Sequence, residues 1–227
     1  MARRLGLGQS FDFGLAQQSS GLIPTPGWKL GTHGKPWVEG ETMLAGIGQG
    51  FVLTTPLQLA VMTARVATGR EVVPRLVLPG EGEDFEPPPS LELEENSLTL
   101  VHKGLLAAVN EAGGTGHVAQ LPIAGVTLAG KTGTAQVSRL SRVRRHDQLK
   151  WRQRDHSLFV GYAPAEAPRY SVAAIVEHAG SGSKAAAPLV RDVMSLLFQH
   201  DKSASPPGSG TSDQPAKSIE PLSERQG

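Results

Sequence analysis

The clearest helical rhythm lies between residues 54 and 69. Thr54-Thr55-Pro56 sets a capping hydroxyl before a proline at the first helical position. Leu57, Ala60, Val61, Ala64 and Ala67 follow at helical spacing, and Gly69 is expected to stop the helix. Val72 to Leu78 is short and β-branched and predicts a strand or extended edge. Ser97 is expected to cap a second helix, with Leu100, Val101, Leu105, Ala108 and Val109 as its buried stripe and Gly113-Gly114 at its end. From 121 onward the pattern turns to strands, at Val126–Val137, Leu158–Tyr162 and Tyr170–Val176. The unbroken apolar run Val172 to Val176 predicts a central strand covered on both faces. Ala163 to Pro168 is too short for a parallel crossover, so the pairing is expected to be antiparallel. A last helix is predicted from Ala185 to Phe198, with Leu189, Val190, Val193, Leu196 and Leu197 as its apolar positions. The expected fold class is α/β, in the α+β sense of an antiparallel sheet flanked by helices.

Four stretches break the rhythm. Residues 1 to 40 are dense in Gly, Pro, Thr and Trp and read as an extended loop wrapped over something else. Residues 81 to 95 are acidic around Pro87-Pro88-Pro89 and read as a solvated loop. Between the first two later strands, Arg139, Arg142, Arg144, Arg145, Lys150, Arg152 and Arg154 face only Asp147; a solvated insertion and a site for an anionic partner both fit that loop. The chain from 200 to 227 has almost nothing to bury and is expected to be a disordered tail behind a domain of residues 1–199.

Composition narrows the function classes. The 227 residues are 39% hydrophobic and 19% charged, enough to build a core. Twenty-two Lys and Arg against 21 Asp and Glu leave a net charge of +1, which argues against nucleic acid as a partner. There are no cysteines, which excludes disulfides and thiolate chemistry. The seven histidines show no metal-ligand spacing, so neither a metal nor a cofactor is expected. No run reaches the length of a membrane span. Met1-Ala-Arg-Arg leads into polar, Gly-rich sequence without an apolar core, so no export signal is expected.

The most informative stretch, Gly125 to Gln136, satisfies two motifs. Read from Gly125 it is G-x-x-x-x-G-K-T, the pattern of a phosphate-cradling loop. That chemistry needs a helix to start at the lysine, and here Thr-Gly-Thr-Ala-Gln-Val continues a strand instead. Read from Lys131 it is K-T-G-T on a strand. A lysine there raises the positive potential beside a serine nucleophile, and glycine removes a side chain so that substrate backbone can lie along the strand. Hydroxyls at Thr132 and Thr134 can bind a carboxylate, and a strand N–H can face an oxyanion. Ser181-Gly-Ser-Lys184 is formally S-x-x-K, but it lies in a Gly-rich turn after K-T-G and reads as a turn. No S-x-N, G-x-S-x-G or H-E-x-x-H occurs. Asp155 and His156 are adjacent on a strand and point to opposite faces, so His156 is expected to bond locally. Gly46, Gly48 and Gly50 lack the spacing of a dinucleotide loop and read as a tight turn before the Thr55 helix.

Taken in order, Gly46-Ile-Gly-Gln-Gly50, Thr55-Pro-Leu-Gln-Leu-Ala60, Gly114-Thr-Gly116, Ala129 to Val137 and Phe159-Val-Gly-Tyr-Ala-Pro164 resemble the C-terminal half of class B penicillin-binding protein transpeptidases. Pro36-Trp37 and Gly40-Glu-Thr42 look most like the elongation type, penicillin-binding protein 2. The resemblance covers residues 1 to 199 and implies part of a serine β-lactamase-like transpeptidase fold. It implies acyl transfer from the D-Ala-D-Ala end of a peptidoglycan stem peptide, with β-lactams as mimics. In that scheme Lys131 supplies positive potential beside the serine, Thr132 and Thr134 hold the ligand carboxylate, Gly133 gives clearance and the Thr134 amide is an oxyanion donor. The family's S-x-x-K and S-x-N motifs lie upstream of Gly46 and do not occur here, so the expectation is a fragment that is inactive alone. The parent's expected setting is the periplasmic face of the bacterial inner membrane, with a SEDS-family glycosyltransferase and a rod-complex scaffold as partners. Two other readings stand beside this one: a non-catalytic remnant that binds elongation partners, and a nucleotide-binding protein.

Overall fold

The computed structural model describes residues 1–77, 86–137 and 149–201. Five helices are described: α1 (Pro26–His33), α2 (Glu39–Gly46), α3 (Pro56–Thr68), α4 (Glu95–Asn110) and α5 (Ala186–His200). The strands are β1 (Ala129–Ala135), β2 (His156–Ala163) and β3 (Tyr170–Val176), forming an antiparallel sheet in the order β1-β2-β3. Lys131 stands opposite Val160, and Leu158 opposite Ile175.

Alternation along β2 sets the layers. Phe159 and Ala163 pack with Ala186, Val190 and Met194 of α5. Leu158, Val160 and Tyr162 face the other way, toward α3 and α4. Ser157, on the same face as Phe159, is fully buried. Its hydroxyl donates to Ser181 O at 2.9 Å and accepts from Ala186 N at 3.0 Å, joining β2 to the start of α5. Ser157→Ala strands both partners, so a loss of about 1–3 kcal/mol is expected, read as a lower urea midpoint at unchanged slope.

Helix α3 begins and ends where its sequence says. Thr55 Oγ1 accepts from Gln58 N at 3.1 Å, and Gly69 N closes the helix on Arg65 O at 2.8 Å. Its buried face is more polar than its spacing suggests: Val61 and Ala67 are buried, but so are Gln58, Thr63 and Arg65. Gln58 Nε2 donates to Gln9 O at 2.7 Å and Ser20 O at 2.9 Å. Arg65 donates to Arg4 O at 2.7 Å and Val72 O at 3.0 Å. These bonds strap the irregular N-terminal segment over α3, which is the wrapping expected of residues 1 to 40.

Several expectations need correction. Within that segment α1 is helical, capped by Thr25 with Pro26 at its first position. No strand forms at 72–77: Val72 O is bound by Arg65, and Val73, Leu76 and Val77 are exposed; Leu78 lies outside the described residues. Helix α4 starts at Glu95, so Ser97 is inside its first turn and donates its hydroxyl to Glu94. Leu100 and Val101 are exposed, and Val109 carries the burial. Strand β1 is shorter than Val126–Val137. Strand β3 has the expected limits, but among the described residues it borders the sheet, with every residue half-buried, and β2 is the central strand. On α5, Leu189, Val193 and Leu196 face outward while Ala186, Ala187, Val190 and Met194 are buried. That helix runs to His200, and Asp201 accepts from Arg169 Nη2 at 2.7 Å and from the Tyr170 hydroxyl. The acidic positions 81–84, the arginines 139–145 and the tail from 202 lie outside the described residues.

Candidate functional site

The K-T-G-T stretch occupies β1 from Lys131 to Thr134, on the edge of the sheet that faces away from β2. Lys131 and Thr134 are exposed, and Thr132 and Gly133 are half-buried. The Lys131 ammonium turns back along the strand, donating to Thr132 O at 3.0 Å and to Thr132 Oγ1 at 3.3 Å. Thr132 Oγ1 in turn lies 3.0 Å from the hydroxyl of Thr115, from Gly114-Thr-Gly116. Gln49, from the Gly46–Gly50 turn, donates its side-chain amide to Thr134 O at 2.8 Å. Three quoted motifs thus meet on one strand edge.

Beside this edge lies an apolar cavity of about 290 Å³. Met62 and Val66 of α3, Val101 and Leu105 of α4, and Leu158 and Val160 line it, with Lys131, Thr132 and Gly133 completing the wall. The arrangement offers a cation, two hydroxyls and strand amides along an open edge next to an apolar surface. It suits an extended peptide that ends in a carboxylate.

The S-x-x-K look-alike is elsewhere and does something else. Ser181 Oγ bonds Ser183 Oγ at 2.8 Å, and Gly182 is buried against the main chain of Gly133 and Leu158. His156 bonds locally as expected: its Nδ1 accepts from His178 N at 3.0 Å, so the neutral ring carries its proton on Nε2. Asp155 accepts from Val137 N at 3.1 Å. Among the described residues no helix is long and apolar enough to cross a membrane, and no group of three metal-ligating side chains is found.

Sequence reasoning missed one charged element near the site. Lys29 is 6% exposed, yet it pairs with Glu41 and donates to Pro36 O at 2.8 Å, tying α1 to α2. The Glu41 carboxyl is held below its ordinary value of 4.5, first by the Lys29 hydrogen bond and then by the Val38 N–H. A lowered folded-state value means this stabilisation is complete above the unfolded range and is lost as pH falls through the folded value. Acidification from neutral pH is therefore expected to loosen α1 from α2 only below about pH 4.5. Tryptophan fluorescence from Trp28 and Trp37 reads this step, and Lys29→Met should remove it.

The antiparallel sheet carries K-T-G-T on an open edge, with helices packed on both faces. The chain belongs to the penicillin-binding protein transpeptidase family, whose domain pattern matches residues 1–195. Its relatives include peptidoglycan D,D-transpeptidases named MrdA. It is 38% identical over 199 residues to the peptidoglycan D,D-transpeptidase MrdA of Haemophilus influenzae, covering 83% of this chain and 30% of that protein. The Acinetobacter baumannii MrdA is 36% identical over 200 residues, covering 82% of this chain and 29% of that protein. The fold matches Pseudomonas aeruginosa PBP2, solved in complex with WCK 5153, at a TM-score of 0.71 and 35% identity, covering 88% of this chain and 43% of that one. It matches Helicobacter pylori PBP2, solved in complex with MreC, at a TM-score of 0.72 and 30% identity, over 87% and 34% of the two chains. The chain thus spans about 30% of the length of the curated relatives it matches.

Proposed function

We propose that this chain forms the strand-edge wall of a peptidoglycan D,D-transpeptidase of the elongation type. The carrying observation is the open edge of β1, where the Lys131 ammonium and the Thr132 and Thr115 hydroxyls follow one another within hydrogen-bond reach, with Thr134 exposed two residues further along the strand. In this reading a serine attacks the penultimate D-Ala carbonyl of a stem peptide and terminal D-Ala leaves. An amine of a neighbouring stem then takes the acyl group. β-Lactams enter by the same first step and stay. Lys131 stabilises the serine as it loses its proton, Thr132 and Thr134 bind the ligand carboxylate, and the Thr134 N–H faces the developing oxyanion. Gly133 leaves the ligand room.

The sequence carries no S-x-x-K ahead of K-T-G and no S-x-N, so the serine comes from a segment outside these residues. The apolar cavity between α3, α4 and β2 is the surface that a helix bearing S-x-x-K would cover. The chain alone is then inactive. The setting proposed is the periplasmic face of the inner membrane, with a rod-complex scaffold and a SEDS-family glycosyltransferase as partners. The MreC-bound neighbour supports the scaffold part of this.

The test is fluorescent-penicillin labelling. Residues 1–227 alone should take no label, and adding a segment that carries S-x-x-K and S-x-N should produce a covalent adduct on that segment's serine. Labelling of the chain by itself, or no labelling of a folded assembly, would overturn the reading.

A further inference from the structure

Three consecutive residues at the entry to β2 hold the turn that leads from β3 to α5. Asp155 O accepts from Gly180 N at 2.9 Å. His156 Nδ1 accepts from His178 N at 3.0 Å. Ser157 Oγ donates to Ser181 O at 2.9 Å and accepts from Ala186 N at 3.0 Å. The same turn carries Gly182, where an added methyl would stand 2.6 Å from Gly133 O and 2.9 Å from Gly133 N. The turn is therefore fastened to β2 on one side and pressed against the K-T-G strand on the other.

One of these fastenings depends on protonation. A main-chain carbonyl and a serine hydroxyl keep their roles across the neutral range. His156 accepts through a ring nitrogen, and an imidazole that takes a second proton has no lone pair left to accept with. Histidine ordinarily makes that change between about pH 5 and pH 8. His178 behaves differently. Its Nδ1 lies 2.9 Å from Arg154 O, which can only accept, so that nitrogen already carries a proton. A second proton goes to Nε2 and leaves the bond intact. The two imidazoles stand 4.6 Å apart, with Trp151 against His178 at 4.4 Å. His178 has φ of 56°, a left-handed conformation that few residues with a side chain adopt. The fastening that titrates thus also restrains a strained backbone.

The neighbouring ionisable groups supply no replacement acceptor. The Asp155 carboxylate is taken by Val137 N, and Arg154, a donor only, is bound to Leu149 O. Glu41 of α2, which lines a cavity together with His156, is paired with Lys29. Glu177 directly precedes His178 on the turn, and the end of β1, Ala135 to Val137, brings no charge.

We propose that His156 is a positioning residue that works as a pH-sensitive clasp. Its neutral ring holds the 177–184 turn against Gly133, and its protonation frees the turn and lets the K-T-G strand relax. The clasp is closed at pH 8 and opens as the pH falls toward 5. It does not rest on the transpeptidase reading.

The experiment follows main-chain amides and histidine ring protons of the isotope-labelled full chain from pH 8 to pH 5. The His178, Gly182 and Gly133 amides should shift with one midpoint, that of the His156 ring. His156→Asn puts a non-titrating acceptor near the Nδ1 position, so these steps should vanish. Protection of the His178 amide from hydrogen exchange, taken relative to His156→Asn at each pH, should fall about tenfold, the scale of one hydrogen bond. His178→Asn keeps the main-chain N–H and tolerates the left-handed conformation, so the steps should remain. Steps that survive in His156→Asn, or that are lost in a folded His178→Asn, overturn the assignment to His156. In the parent alone, an amide midpoint that differs from the His156 ring midpoint does the same. A step at His178 without one at Gly133 overturns the link to the strand. Where the transpeptidase reading also holds, the ratio of parent to His156→Asn acylation rates in the assembled domain should fall over the same pH range. A constant ratio with the amide steps present overturns the effect on the reaction and leaves the clasp.

Discussion

Lys131→Ala is expected to slow acylation of the supplied serine by fluorescent penicillin about 10²- to 10³-fold, with little change in stability. The rate loss is on the scale of removing one preorganised charge-stabilising donor from an acyl-transfer site. The small stability change follows from exposure: both ammonium hydrogen bonds are local, to Thr132, and water replaces them. Such surface changes stay within about 0.5 kcal/mol. Lys131→Arg should not rescue the rate, because a planar guanidinium cannot place a compact charge on the same two Thr132 oxygens. A Lys131→Ala protein acylated at the parent rate would mean that β1 does not border the reacting serine.

Gly182→Ala is expected to be among the most damaging single methyls at the described residues. Its Cβ would stand 2.4 Å from Leu158 O, 2.6 Å from Gly133 O and 2.9 Å from Gly133 N. All three are main-chain atoms of paired strands and have no rotamer to give. A cost of about 3 kcal/mol is expected, at the upper end of overpacking effects. For a chain of this size that corresponds to a fall in Tm of roughly 10 °C. Because Gly133 must move to make room, acylation in the assembled domain should fall as well, even at temperatures where the variant is folded. Thermal unfolding and penicillin labelling on the same samples separate the two effects. The result would also fix the role of the glycine in Ser181-Gly-Ser-Lys184, which props the K-T-G strand from behind.

Local signals carried the elements whose causes are local. Thr55-Pro56 and Gly69 bracket α3, and the run from Tyr170 to Val176 marks β3 to the residue. The same Thr-Pro signal stands at Thr25-Pro26 and could have found α1. What was not legible depends on distant partners. The buried polar face of α3 is satisfied by carbonyls of Arg4, Gln9 and Ser20, which no spacing rule connects to Gln58 or Arg65. On α5 apolar residues lie on several sides, so periodicity could not choose between Val190 with Met194 and Leu189 with Val193. Nor did the apolar composition of β3 reveal that it borders the sheet. At the site, the strand bearing Lys131 to Thr134 was readable from residue type alone. Its contact with Gln49, 85 residues earlier, exists only once the turn after α2 has folded onto the strand end.

The outer edge of β3 has a further bearing, on how the polypeptide behaves as a solute. Among the described residues nothing pairs with that side of the strand, leaving a row of about 23 Å of main-chain donors and acceptors. Two molecules meeting there can zip into one continuous antiparallel sheet. Such an association would be second order, its rate rising with the square of concentration, and a strand-shaped peptide that occupies the edge would slow it.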